Sequence, residues 1–407
     1  MKVMEDFNAI PSLCFLIAFQ IIFIVWNRND IMRSITEWLN IHREKGVPAH
    51  EIYRMQEDIT SYVQEIVASL EGIPPIVKSE MADIVFSIGR HIKAWKCFSS
   101  TYPNFNIEYL KIPVNHWTVY GTVNTKRHSE LFVKDSLKNY IDRYIMACDN
   151  CFEEIIVELF PSLTSEDKAK FLAVGEPKEL INYWTYRLSG DLSSFSNLIP
   201  GYHIYKPEYR YSVHQFAFSV TLLNGNKSGI EYFLKYLPPN DFEYVLCNHL
   251  YFFPHRRIAG INDENNFPEP LHEHFTDALY FLLSKLNKTQ RMNVLNKHSF
   301  IVLLTFLRYP FYGIFSKYIK ILIKKLPWYF TLIILNRICT LEKKNAHFFG
   351  LKLFEDLFFN CPQNQKVDIM GNEDFLKLVL NDEQFFNLHE RIRKAEENYH
   401  VKNIVSL

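Results

Sequence analysis

The sequence is short of the residues that bend, break or cross-link a chain. Glycine is scarce at 13 of 407 residues, and 18 prolines are too few for the dense turns of a β-sandwich, so helix is expected to dominate. The seven cysteines are odd in number and scattered from Cys14 to Cys361, which is no disulfide framework; a reducing, cytoplasmic setting is expected. An excess of one charge is missing as well. Lys+Arg and Asp+Glu are both 45, without the basic surplus of a nucleic-acid binder, so no nucleic-acid partner is expected. No H-E-x-x-H, P-loop, G-x-S-x-G, G-x-G-x-x-G or kinase signature set occurs. No catalytic residue, cofactor or metal is therefore assigned, and a non-enzymatic protein is expected. What is present is a globular composition, 48% hydrophobic and 22% charged, on a chain long enough for several domains or one repeat array.

From Phe7 to Asn27 no residue is charged: "FNAIPSLCFLIAFQIIFIVWN". A transmembrane or signal-anchor helix over residues 7–27 is the alternative this run raises, with Arg28 and Arg33 as a cytoplasmic flank. A signal peptide fits poorly, because Glu5 and Asp6 precede the run and no small-x-small cleavage site follows. A buried helix fits the length rules best, since the continuously apolar part is only Leu13–Trp26. Ser12 would cap it and Ile10 would act as a hydrophobic staple. The following Ile31, Ile35, Trp38, Leu39 stripe has helical spacing and needs a partner helix.

One outline recurs along the chain. "IEYFLKYLPPNDFEYVL" (230–246), "LYFLLSKLNKTQRMNVL" (279–295) and "IKILIKKLPWYFTLIIL" (319–335) share two leucines nine residues apart around a polar turn. The same nine separates Leu163 from Leu172 and Cys361 from Met370. Pro, Asn, Ser and Asp at these turns stop one helix and cap the next, so each element is expected to be a joint between helices. Successive joints are offset by 74, 49, 40 and 35 residues, the first interval hiding a weaker unit near Leu198–Pro200. Periods of about 33 to 45 residues belong to stacked helix pairs. The expected organisation is an N-terminal helical region (1–103), an irregular connector (104–130), a helical repeat array (131–390) and a C-terminal tail (391–407).

The best-formed unit is "FAFSVTLLNGNKSGIEYFLKYL" (216–237). Its Asn224-Gly225-Asn226 turn, followed by Ile230, Phe233 and Leu234, resembles an ankyrin repeat. A shift of 74 residues lays Asn150 on Asn224 and Ile156 on Ile230, with Cys148 at a packing position and Cys151 at the turn. The Thr-Pro-Leu-His opening of ankyrin repeats is absent, and units range from 35 to 49 residues. The chain is similar to arthropod-type proteins with degenerate ankyrin-like units, which bring no activity with them. The resemblance implies an all-α fold, an α-solenoid of stacked helix pairs that acts as a protein–protein interaction scaffold.

The other reactive residues have plainer explanations. Cys148-x-x-Cys151 lacks the second pair that zinc needs. His272 and His274, near His249 and His255, would chelate only from an extended loop. Glu153-Glu154 reads as a solvated helix position, and the sequons at Asn226 and Asn287 matter only in a secreted chain. Lys317, Lys320 and Lys324 share one face opposite Ile319, Leu322, Ile323 and Leu326, either the solvated outer side of a repeat helix or a basic amphipathic helix that lies on an anionic membrane or binds an acidic partner. The unidentified protein partner is expected to meet the polar loop 252–270 and this face, through His255, Arg256, Arg257, Lys317, Lys320 and Lys324.

Overall fold

In a computed structural model of the chain, the structure describes residues 6–7, 9–43, 47–99, 113–131, 133–134, 139–172, 180–199, 211–257, 270–344 and 350–380, with 387 and 390. Among the described residues every regular element is helical, apart from one isolated bridge between Trp117 and Val123. The helices are α1 (Leu13–Trp26), α2 (Asn29–Arg43), α3 (Ala49–Ser69), α4 (Pro75–Ser99), α5 (Thr125–Leu131), α6 (Tyr140–Asp149) and α7 (Glu153–Leu159). There follow α8 (Ser165–Leu172), α9 (Leu180–Leu188), α10 (Leu192–Leu198), α11 (Val213–Leu223), α12 (Lys227–Phe233), α13 (Pro239–Arg257) and α14 (Pro270–Lys285). The last are α15 (Lys288–Lys297), α16 (Ser299–Phe306), α17 (Tyr312–Leu322), α18 (Trp328–Lys344), α19 (Gly350–Asn360), α20 (Gln363–Met370) and α21 (Glu373–Leu380). Packing divides the chain into two compact units: a larger one of residues 13–81 and 85–294, and a smaller one of residues 1–12, 82–84 and 295–407.

In the larger unit α1 begins directly after Ser12 and buries Phe15, Ala18, Phe19, Ile22, Phe23, Val25 and Trp26. Its opposite side leaves Leu13 and Ile24 exposed, and Ile10, expected to staple the helix start, is 89% exposed. No single helix among the described residues is long and apolar enough to cross a membrane. A pair bent by 67°, Leu13–Trp26 with Asn29–Ile41, passes that test together. The α2 stripe finds its partner helix, because Ile31, Ile35, Trp38 and Leu39 are all buried and the Trp38 indole donates to the Ile52 carbonyl of α3 at 3.2 Å. Trp26 is fully buried, donates to the Val85 carbonyl of α4 at 2.9 Å, and packs against Gly89. A Cβ at Gly89 would stand 2.0 Å from the Trp26 ring, so only glycine lets α4 come this close.

The middle of the larger unit is built from three helical hairpins that end their first helix in the same way. In α6/α7 the N–H of Cys151 bonds Cys148 O at 3.1 Å and that of Phe152 bonds Ala147 O at 3.0 Å. In α9/α10 Gly190 bonds Arg187 O at 3.2 Å and Asp191 bonds Tyr186 O at 3.0 Å. In α11/α12 Gly225 bonds Leu222 O at 3.2 Å and Asn226 bonds Thr221 O at 2.9 Å. This is the Schellman pattern, which requires a left-handed residue after the helix. That residue is Gly190 (φ 76°), Gly225 (φ 63°) and, at the first turn, Cys151 (φ 53°). The unit near Leu198–Pro200 is thus α9/α10, and α6, α9 and α11 pack side by side. The first and third turns also meet: the Asn226 side-chain amide donates to the Asp149 carbonyl. Strict ladders join only neighbours, and here a non-neighbouring pair is joined as well.

All five nine-residue elements fall at helix joints. Leu163, Leu237, Leu286, Leu326 and Cys361 are each buried, and α8, α13, α15, α18 and α20 start two residues later. The connector lies partly outside the described residues. From 113 onward it is a 3-10 turn (Val114–His116), the Trp117–Val123 bridge and α5, all within the larger unit.

Candidate functional site

A groove opens in the larger unit between two of these joints. Its first wall is the end of α12 and the start of α13. There the Leu237 N–H bonds Phe233 O at 2.8 Å, and Pro238-Pro239 cannot continue the helix, so the chain turns and restarts. Its second wall is the end of α14 and the start of α15. Asn287 Oδ1 accepts from the Gln290 N–H at 3.0 Å, and Gln290 Oε1 accepts from the Asn287 N–H at 3.3 Å, a reciprocal cap. Arg291 closes the last turn of α14 by donating to the Leu283 and Leu286 carbonyls at 2.7 and 2.8 Å. Both walls are therefore held by their own local hydrogen bonds.

The groove encloses about 370 Å³ between Leu234, Pro239, Phe242 and Leu286, with Glu231, Lys235, Lys285 and Gln290 around them. Lys126 of α5 reaches the Glu231 carboxylate at 2.5 Å. That bond, helped by the charges of Lys285 and Lys235, holds Glu231 below the usual carboxylate range against the opposing effect of partial burial. Three ammoniums thus act on one carboxylate, and the groove's own lining combines four apolar side chains with two lysines, one glutamate and one glutamine. The volume suits one or two side chains of a partner, and the exposed rim suits its backbone and acidic groups.

Other polar clusters in the larger unit are closed on themselves. Arg187, at the end of α9, donates to Glu153 Oε1 at 2.7 Å, to Tyr183 Oη at 3.2 Å and to Tyr232 Oη, while lying 4.9 Å from the Trp184 ring. Tyr232 and Tyr236 also donate to Glu153, at 3.2 and 3.4 Å. This ties the three hairpins together and leaves Arg187 no free fork for an anion. Cys148 and Cys151 are buried, and burial pushes both thiols up, away from the thiolate that redox chemistry needs. His116 and His128 place their Nδ1 atoms 3.1 Å apart, and burial lowers both imidazoles, His128 to about 3. No group of three or more His, Cys, Asp or Glu among the described residues could hold a metal ion. Lys227 and Asp277 form a buried ion pair, with Thr122 donating to the same carboxylate at 3.3 Å.

Of the residues expected to meet a partner, His255, Arg256 and Arg257 lie in the last turns of α13, with side chains outside the described set. The same holds for His249 in α13 and for His272 and His274 in α14, while most of the loop 252–270 is likewise outside. Lys317, Lys320 and Lys324 are exposed in the smaller unit, opposite buried Ile319, Leu322, Ile323 and Leu326. Sequence reasoning did not single out Lys126, Glu231, Lys235, Phe242 or Lys285. The available signal was the pair of joints at 230–246 and 279–295, whose flanking residues wall the groove. No protein-family model, curated protein or solved structure matches the chain.

Proposed function

We propose that the protein is a non-enzymatic protein–protein interaction scaffold, a helical-repeat body of degenerate ankyrin-like hairpins whose joints carry the binding surface. The observation that carries this reading is the groove between the α12/α13 and α14/α15 joints, lined by Leu234, Pro239, Phe242 and Leu286 with Lys235 and Lys285 beside them. Two features support it. The same turn closes three hairpins at Cys151, Gly190 and Gly225, as repeated units would require. The reactive groups described in the larger unit are buried or bonded to one another, which suits recognition by area better than chemistry.

The test is affinity capture with the full chain, read by mass spectrometry against a Phe242→Ser, Leu234→Ser variant. A partner set held by the wild type and released by the variant is the expected result. Retention of every partner by the variant moves binding away from the groove, and no partner with either protein removes the scaffold reading. A second reading, a membrane anchor at residues 7–27, draws on the bent apolar pair α1–α2. Alkaline carbonate separates the two, since an integral anchor stays in the pellet and a scaffold is released.

A further inference from the structure

Between Asp277 and Glu342 the chain carries ten lysines and arginines and not one aspartate or glutamate. The equal totals of the whole chain hide this excess. Within the smaller unit its densest part surfaces at the joint between α17 and α18. Lys317, Lys320, Lys324 and Lys325 are all exposed there. Asp6 pairs with Lys317 at 2.5 Å, and Lys325 donates to the neutral Asn296 amide oxygen at 2.7 Å. Lys320 and Lys324 have no acidic partner among the described residues. The same joint exposes apolar surface: Ile321 is 47% exposed, Trp328 36% and Tyr329 48%. The two rings occupy the first turn of α18, just across the Leu326-Pro327 joint from Lys324 and Lys325, and meet edge-on at 6.3 Å.

A partner for this surface has to supply negative charge and accept an indole, a phenol and a branched aliphatic side chain in the same place. An anionic bilayer surface does both. Its headgroups attract lysines, and Trp and Tyr settle at headgroup depth with the apolar body inward and the polar tip in water. The cations on this patch are all lysine. Lysine acts as a point charge toward a diffuse array of headgroups and lacks the planar fork with which arginine grips single phosphates. We propose that the α17–α18 joint docks the protein peripherally on an anionic lipid surface, with Lys320, Lys324 and Lys325 as the electrostatic contact and Ile321, Trp328 and Tyr329 as the inserted groups. This goes beyond the scaffold reading and is independent of residues 7–27.

The experiment is vesicle flotation of the full chain, with phosphatidylcholine alone and with about 30% phosphatidylserine, at about 0.1 M and about 0.5 M salt. Binding to the anionic vesicles at low salt is expected, with loss at high salt. Lys320→Glu with Lys324→Glu reverses two charges and is expected to lower the partition coefficient on the order of 100-fold. Trp328→Ser keeps every lysine and is expected to lower it about 10-fold. Circular-dichroism melts accompany both variants, and the charge reversal, made at exposed positions, stands alone if the Trp328 variant melts early. Equal binding to neutral vesicles, or unchanged binding of the charge-reversed protein, overturns the proposal. It is also overturned if a single-stranded oligonucleotide strips the wild type from the vesicles while Trp328→Ser binds them as well as wild type, since the patch is then a general polyanion site.

Discussion

Lys96 of α4 offers the sharpest test of the core of the larger unit. Its side chain is fully buried, and among the described residues its ammonium meets only the Met32 thioether, at 3.6 Å. Lys93, one turn earlier, instead donates to the Gln56 carbonyl at 3.1 Å and to the Thr60 hydroxyl at 3.0 Å. A thioether is a weak acceptor, and burial alone pulls Lys96 from 10.5 to about 7. At about 1.4 kcal/mol per pH unit, that drop corresponds to about 5 kcal/mol of burial penalty on the charged form. The folded-state value lies below the unfolded one. Between pH 7 and 10.5 the unfolded chain therefore holds a proton that the folded chain has lost, and stability rises with pH through that window. Below pH 7 both states are protonated and the penalty is complete.

Lys96→Met keeps the length of the side chain and removes the charge. It is expected to stabilise the protein by about 2–4 kcal/mol at pH 6, less than the full penalty because the wild type relaxes around the ammonium. The advantage should shrink toward zero near pH 10. Urea unfolding followed by tryptophan fluorescence at pH 6, 7.5 and 9 measures it. A variant no more stable than wild type at pH 6, or a gain that does not change with pH, refutes the reasoning.

Three further outcomes follow from the packing. Gly89→Ala drives a methyl into the Trp26 ring and should cost about 3 kcal/mol, seen as a lower melting temperature; an unchanged melt would show that α1 and α4 do not approach as described. Cys151→Gly and Cys151→Ala lose the same buried sulfur, yet only alanine keeps a Cβ at φ 53°, so the glycine variant should be the more stable by about 1 kcal/mol in urea titrations. Equal stabilities would remove the left-handed turn from the account. Replacing Asn287 by Ala breaks the reciprocal cap at the start of α15 and should cost about 1 kcal/mol by the same titration, with no loss if water caps the helix equally well.

The local punctuation of the chain was legible because its causes are local. Pro238-Pro239, Asn287 and Pro327 stop and restart helices through φ restriction and side-chain caps, and the buried leucines nine residues apart mark where those joints turn inward. The 74-residue shift aligned Asn150 with Asn224 and put Cys151 at the turn, and both turns have the same hydrogen bonds. The intermediate hairpin α9/α10 was placed only as a weaker unit near Leu198–Pro200, without bounds, because its turn reads Ser189-Gly190-Asp191 and shares no apolar outline with the others. The groove was half legible: both its walls were quoted as joints, but nothing local says that α5 brings Lys126 to Glu231 across 105 residues.

By itself the sequence determined a chain of short, capped helices jointed at regular places, since helix starts, stops and apolar faces depend on residues within a few positions of one another. Only the tertiary structure decided that Trp26 fills the space Gly89 leaves open, that Lys96 is buried against Met32, and that Arg187 locks three hairpins through Glu153 and Tyr232. Those contacts join residues dozens of positions apart, and packing alone, which no periodicity encodes, sets which of them meet.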